Sequence, residues 1–132
     1  MGFWKDLLLG KNSGSSGGSF KNVDWLDAEH RWRTIETMAK TRAQADMRQA
    51  LIQADVLIDT IMKQANVTGT TFGERLKALK TRLPHHVYQK LWQAHIKRNE
   101  LVHEQGSFVA EWELTTHLQA FQSAMSAMRG LR

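Results

Sequence analysis

Residues 84–105, PHHVYQKLWQAHIKRNELVHEQ, decide the fold because their apolar side chains recur at helical spacing. When each residue advances about 100° around a helix, the apolar positions between Val87 and Val102 fill one continuous arc, with Leu91 near its centre. Pro84 is typical of a helix start, and Gly106 follows the end of the pattern. The segment therefore predicts one amphipathic helix that packs against a larger apolar core.

The same periodicity extends over most of the chain, and no stretch shows a convincing strand alternation. Helices are predicted over about 24–40, 44–66 and 110–129. The sequence Thr71-Phe72-Gly73-Glu74 predicts a capping box that opens a short helix ending near Arg82. We therefore predict an all-α fold, a compact bundle of four to five helices that covers residues 23–132.

Residues 1–22 differ in composition from the rest of the chain. Residues 1–10 have apolar side chains at helical spacing, and residues 12–19, NSGSSGGS, have the composition of a flexible linker. We expect the amphipathic peptide to dock on its own domain or on a protein partner. Contact with a membrane surface is less favoured, because a single turn buries little surface and Asp6 opposes anionic lipid.

Composition excludes several classes of function. The 132-residue chain has no cysteine, which removes disulfides, thiolate zinc sites and thiol nucleophiles and fits a reducing cytoplasm. No glycine-rich phosphate loop is present in a strand-to-helix context. His95 and His103 are about 12 Å apart along one helix and so cannot share a zinc ion. We expect a cytoplasmic protein without a metal or a cofactor.

Positive charge is concentrated in one part of the sequence. Residues 74–98 contain seven basic residues and one acid, whereas the whole chain has a net charge of +5. Such a patch suits a polyanion such as RNA, DNA, a nucleotide or an anionic membrane, although a solvated basic face is an equally good interpretation. The candidate RNA-binding residues are Arg75, Lys77, Lys80, Arg82, Lys90 and Lys97.

Arg98 interrupts the apolar arc of the helix over residues 84–105. A guanidinium group keeps its charge, so at a core-facing position it needs a carboxylate, water or an anionic ligand. Asp55 and Asp59 lie one turn apart at the edge of the apolar face of the second helix, and either one is a candidate partner. The alternative for both is a solvated carboxylate at the boundary of the core.

Asn99 and His103 lie one turn apart on the same side of that helix, close to Arg98. An imidazole that titrates near neutral pH, beside a permanent cation, is sufficient for metal-free cleavage of a phosphodiester. A simpler interpretation is that both basic residues interact with the negative end of the helix. His95 is predicted to be a hydrogen-bonded core histidine and is kept as a supporting candidate.

The sequence R-N-E-L-V-H at residues 98–103 resembles the motif of HEPN domains, an arginine and a histidine separated by four to six residues. The resemblance implies a small helical bundle over about residues 23–132 and a ribonuclease pair of Arg98 and His103, with Asn99 as their neighbour. It also implies a homodimer, an RNA or nucleotide substrate, and a toxin-antitoxin or defence role with an antitoxin partner. Gln105 stands where some HEPN toxins carry a modifiable tyrosine, so that form of control is not expected.

The helix itself also predicts self-association. Trp92, Ile96, Asn99 and His103 form a second seam beside the core arc, which a two-fold contact would pair with itself. Two other functions stay open. The same cleft could bind a nucleotide, RNA or protein without catalysis, or the chain could be an adaptor recruited through residues 1–10.

Overall fold

A computed structural model describes residues 17–132 of the chain. This part of the protein is all-helical and has no β-strand, so the all-α prediction is confirmed for the described residues. The predicted helices are all present, with ends that differ from the predicted ones by a few residues at most. The five α-helices are α1 (Trp25–Lys40), α2 (Gln44–Gln64), α3 (Phe72–Ala78), α4 (His85–His103) and α5 (Glu111–Arg129).

Local side-chain contacts fix where the helices begin. The carboxylate of Asp24 accepts a hydrogen bond from the backbone N–H of Asp27 at the start of α1. At the start of α3, Thr71 Oγ1 accepts one from the N–H of Glu74, as the capping box predicts. The Glu74 carboxylate reaches one residue further back than expected, because it accepts from the N–H and the hydroxyl of Thr70.

The helix α2 lies at the centre of the bundle. It packs against α1, α4 and α5, and α4 in turn packs against α5. The apolar face of α2 is buried, including Ala50, Leu51, Ala54 and Ile58, and Ala50 and Ala54 have no accessible surface. This packing places the acidic edge of α2 directly beside α4, which carries the R-N-E-L-V-H sequence.

The folded unit begins earlier than residue 23, so the predicted boundary needs correction. Phe20 is completely buried, and its carbonyl accepts a hydrogen bond from the indole N–H of Trp25 at 3.0 Å. The N–H of Ser19 donates to the carbonyl of Ala65 at the end of α2, at 2.7 Å. Residues 17–19 belong to the predicted linker and residues 20–22 to the segment predicted to lie outside the bundle, but residues 17–22 form part of the packed structure.

The amphipathic peptide predicted over residues 1–10 lies outside the described residues, as does most of the predicted linker. None of the helices that the structure describes combines the length and the apolar composition needed to cross a lipid bilayer.

Candidate functional site

A polar pocket of about 510 Å³ opens where α2, α3 and α4 meet. Helix α2 provides one wall and α4 the opposite wall, while the segment between α2 and α3 closes one end. Six of the candidate site residues predicted from the sequence line this pocket. The complete lining is Asp55, Asp59, Lys63, Thr70, Thr71, Phe72, Gly73, Arg75, His95, Arg98 and Asn99.

Asp55 provides the negative charge at the base of the pocket. It lies near the middle of α2 and is only 2 % exposed. Its Oδ1 atom lies 3.4 Å from Nε of Arg98, which is an ion-pair distance. The interpretation of Asp55 as a solvated boundary carboxylate is therefore wrong. Asp55 is the partner that a guanidinium on the core-facing side of α4 requires.

His95 occupies the other side of the Asp55 carboxylate. Its Nδ1 atom lies 2.7 Å from Asp55 Oδ2, and its ring stacks on Phe72 with a centroid distance of 4.0 Å and an interplanar angle of 6°. Burial raises the pKa of the Asp55 carboxyl group, and the hydrogen bond and charge of His95 and the charge of Arg98 offset only part of that rise. His95 is thus hydrogen-bonded in the core, as predicted, and it also lines the pocket.

Asn99 connects Arg98 and His95 in the pocket. Its Oδ1 atom accepts a hydrogen bond from Arg98 Nη1 at 3.1 Å. On its other side, Nδ2 lies 3.5 Å from His95 Nε2. The one-turn spacing of Asn99 and His103 predicts that their side chains lie on the same side of the helix. Within the described residues, the imidazole that the Asn99 amide approaches is instead that of His95, one turn earlier on α4.

His103 lies outside this pocket, as the exposed last residue of α4. No hydrogen bond or ion pair within residues 17–132 joins it to Arg98 or Asn99. The end of the helix is held by Arg48 of α2, which donates to the carbonyl of Leu101 at 3.0 Å and to that of Ser107. His103 is therefore fixed in position but faces solvent.

Arg75 is not available to bind RNA, which corrects the prediction. The side chain is buried, and its Nε and Nη2 atoms donate to the two carboxylate oxygens of Asp59 at 3.0 and 3.4 Å. Its Nη1 atom donates to the carbonyl of Gly69 at 2.8 Å. Asp59 is thus the partner of Arg75 rather than of Arg98, and this fork joins α3 to α2.

Lys97 is also a structural residue rather than an RNA-binding one. Its Nζ atom lies 3.0 Å from Glu100, 3.1 Å from Glu113 and 3.1 Å from the carbonyl of Phe108, and only 9 % of the side chain is exposed. Burial lowers the pKa of Lys97, but the hydrogen bonds to the two carboxylates outweigh it and hold the pKa above its ordinary value. The ion pair ties α4 to the start of α5.

Arg82 likewise serves the fold. Its Nη1 atom donates to the carbonyls of Gly17 and Gly18, and its guanidinium group lies over the ring of Phe20. Of the six predicted RNA-binding residues, the structure leaves only Lys77, Lys80 and Lys90 exposed. The positive segment is thus much less basic at its surface than its sequence implies.

The seam predicted for self-association is accessible. Ile96 is 61 % exposed, His103 is exposed, and Trp92 and Asn99 are half-buried. Val102, next to His103, is also exposed. Ile96 and Val102 are thus exposed apolar side chains on the helix that carries the R-N-E-L-V-H sequence.

The charges of the pocket favour an anionic ligand. Lys63, Arg75 and Arg98 oppose Asp55 and Asp59, which leaves an excess of one positive charge before His95 is counted. Arginine and asparagine side chains are typical hydrogen-bond donors to phosphate. No group of three or more histidine, aspartate or glutamate side chains within residues 17–132 is arranged to hold a metal ion.

Sequence reasoning missed several walls of the pocket. Lys63, Thr70 and Phe72 were not among the predicted site residues. Phe72 comes to the site because its ring stacks on His95. Lys63 could have been found from its spacing, since Asp55, Asp59 and Lys63 recur every four residues and lie on the same side of α2. Comparisons of the chain with known protein families, with curated proteins and with solved structures find no match.

Proposed function

We propose that the protein is a metal-independent endoribonuclease of the HEPN type that acts as a homodimer. The observation that carries the proposal is the placement of Arg98, a permanent cation held against a buried carboxylate at a polar pocket, five residues before an exposed histidine. The helical bundle and the R-N-E-L-V-H sequence support the same proposal.

In the proposed reaction, the imidazole of His103 removes the proton from a ribose 2′-hydroxyl group. The 2′-oxygen then attacks the adjacent phosphorus, and the bond from phosphorus to the 5′-oxygen breaks. The leaving 5′-oxygen takes up a proton from an imidazolium group. Arg98 stabilises the charge that develops on the phosphoryl oxygens, and Asn99 orients its guanidinium group. The products are a 2′,3′-cyclic phosphate and a 5′-hydroxyl group.

The need for a second copy follows from where His103 lies. In one chain, His103 lies five helical positions after Arg98, about 7.5 Å along the axis, and its side chain is outside the pocket. A two-fold contact through the exposed Ile96 seam would bring the motifs of both chains to one cleft. In that arrangement, one composite site uses Arg98 and His103 together.

The test uses the full chain and a set of short single-stranded RNAs that together contain every dinucleotide step, in excess EDTA. Cleavage with 2′,3′-cyclic phosphate ends, abolished in both Arg98→Ala and His103→Ala, supports the proposal. His86→Ala is the matched control, because His86 is an exposed histidine on the same helix and should stay active. A 2′-deoxynucleotide at the cleavage position should block the reaction.

A binding module without catalysis is the second candidate, and the exposure of His103 outside the pocket favours it. In that case the folded wild type binds the RNAs but leaves them intact. Arg98→Ala then weakens binding, whereas His103→Ala binds as the wild type does. Intact RNA after long incubation with the folded dimer would overturn the ribonuclease proposal for these substrates.

A further inference from the structure

Four side chains at the pocket form a closed ring of contacts. Asp55 Oδ2 meets His95 Nδ1 at 2.7 Å, and His95 Nε2 faces Asn99 Nδ2 at 3.5 Å. Asn99 Oδ1 accepts from Arg98 Nη1 at 3.1 Å, and Arg98 Nε returns to Asp55 Oδ1 at 3.4 Å. Neither the R-N-E-L-V-H motif nor the reaction proposed above gives His95 a role.

This ring of contacts requires a neutral His95 imidazole with its proton on Nδ1. Asp55 accepts at Nδ1, so Nδ1 carries the proton, and Nε2 of the neutral ring is then an acceptor. An acceptor at Nε2 faces the N–H₂ group of Asn99 and turns its Oδ1 atom towards Arg98. The neutral imidazole therefore determines which end of the amide receives the guanidinium group.

Protonation of His95 reverses this arrangement. Both ring nitrogens then donate, so the N–H₂ group of Asn99 no longer has an acceptor at Nε2. If the amide turns to offer Oδ1 to the imidazolium, its N–H₂ group faces the N–H donors of Arg98. The guanidinium group then loses its hydrogen bond to Asn99. Its Nε atom makes no hydrogen bond among the described residues that could replace it. Only the ion pair with Asp55 remains.

We propose that His95 is a positioning residue for Arg98, which it controls through the orientation of the Asn99 amide. The proposal rests on the proposed function only in treating Arg98 as the group that meets phosphate. The charged groups of the pocket around His95 are Asp55, Asp59 and Lys63 from α2, Arg75 from α3 and Arg98 from α4. Asp59 is ion-paired with both Arg75 and Lys63, whereas Asp55 contacts the imidazole directly and Arg98 is linked to it through Asn99.

The test reads the ring directly by NMR on the full, ¹⁵N-labelled chain, in a titration across the range in which histidine changes charge. In the wild type, the side-chain N–H₂ signals of Asn99 and the Nε–H signal of Arg98 should shift with the same midpoint as the His95 ring. In His95→Gln, which has a donor and an acceptor but does not titrate, both signals should lose that transition. His86→Gln, an exposed histidine on the same helix, should behave as the wild type.

If Asn99 and Arg98 do not follow His95 in the wild type, the proposal is overturned. That measurement needs no variant, so it decides the matter even if His95→Gln fails to fold. A transition that persists unchanged in folded His95→Gln also overturns it.

Activity provides a second readout with a different meaning. In the wild type, the loss of the Asn99 contact of Arg98 at low pH should add to the loss of the free base, so the cleavage rate should fall more steeply as pH is lowered than it does in His95→Gln. If the wild type does not cleave RNA but its His95, Asn99 and Arg98 signals shift with one midpoint, the ribonuclease proposal is overturned and the positioning role is supported. If the wild type cleaves RNA but its Arg98 signal does not shift with that of His95, only the positioning role is overturned.

Discussion

Lys97→Met tests whether this cation holds the bundle together rather than binding RNA. Methionine keeps an unbranched apolar side chain of similar length and removes only the ammonium group. The ammonium group lies within 3.1 Å of Glu100, Glu113 and the Phe108 carbonyl. A hydrogen bond to a charged group is worth about 1.5–3 kcal/mol, and breaking a fully buried pair costs about 3–5 kcal/mol. Since both carboxylates still reach water, we expect a loss of about 2 kcal/mol.

Urea denaturation measures this loss. With a slope of about 2 kcal/mol per molar urea, the midpoint should fall by about 1 M. Lys90→Met is the control, because Lys90 is an exposed lysine on the same helix, and its effect should stay within about 0.5 kcal/mol. RNA affinity of folded Lys97→Met should match that of the wild type. Equal midpoints for the two variants would refute the structural role of Lys97.

The same pair predicts how the difference between wild type and Lys97→Met depends on pH. The backbone hydrogen bond from Ala110 and the contacts with Lys97 outweigh burial and hold the pKa of Glu113 below its ordinary value of 4.5. The contribution of Glu113 to the free energy of unfolding is therefore present above pH 4.5 and is lost as the pH falls through the lower pKa of the folded state. The pKa of Lys97 lies above 10.5, so its contribution is lost only as pH rises beyond that value. The stability difference should be largest between these limits.

Three further changes test other parts of the structure. Phe20→Ala should lower the free energy of unfolding by about 3–5 kcal/mol in urea denaturation, and a loss below about 1 kcal/mol would contradict its place in the core. Gly18→Ala should lower the melting temperature more than Gly106→Ala does. Both glycines have a positive φ, but only at Gly18 would a Cβ atom meet a backbone carbonyl oxygen, at 2.2 Å, so equal losses would refute the clash. If the proposed dimer forms through this seam, Ile96→Glu should give a monomer in light scattering and leave the monomer fold intact, whereas a dimer that persists in the variant would exclude this seam as the interface.

The helices were predictable because their signal is local. The spacing of apolar residues in α2 and α4, Pro84 before α4 and Thr71 before α3 all act within a few residues of where they appear. The burial of Phe20 was not predicted, because it has no local signal: one aromatic residue among glycines and serines carries no periodicity. Its burial depends on Trp25 and on the end of α2.

The site was predictable only in part, because ion pairs form across the fold. Arg98 broke the apolar pattern of its own helix, which correctly indicated that it needed a partner. Which carboxylate provides it depends on how α2 packs against α4. Charge counted along the sequence likewise treats Arg75 and Lys97 as free, whereas Asp59 and Glu113, each 16 positions away, neutralise them.

Arg48 affects the dynamics of the residue proposed to act as base. The last turn of a helix usually frays, and opening there costs little free energy. Because Arg48 binds the carbonyls of Leu101 and Ser107 from α2, the last turn of α4 cannot open without also breaking these contacts with the central helix. Slow hydrogen exchange should therefore extend from the core to the final turn of α4, so that the backbone at His103 keeps its helical conformation while its side chain is exposed.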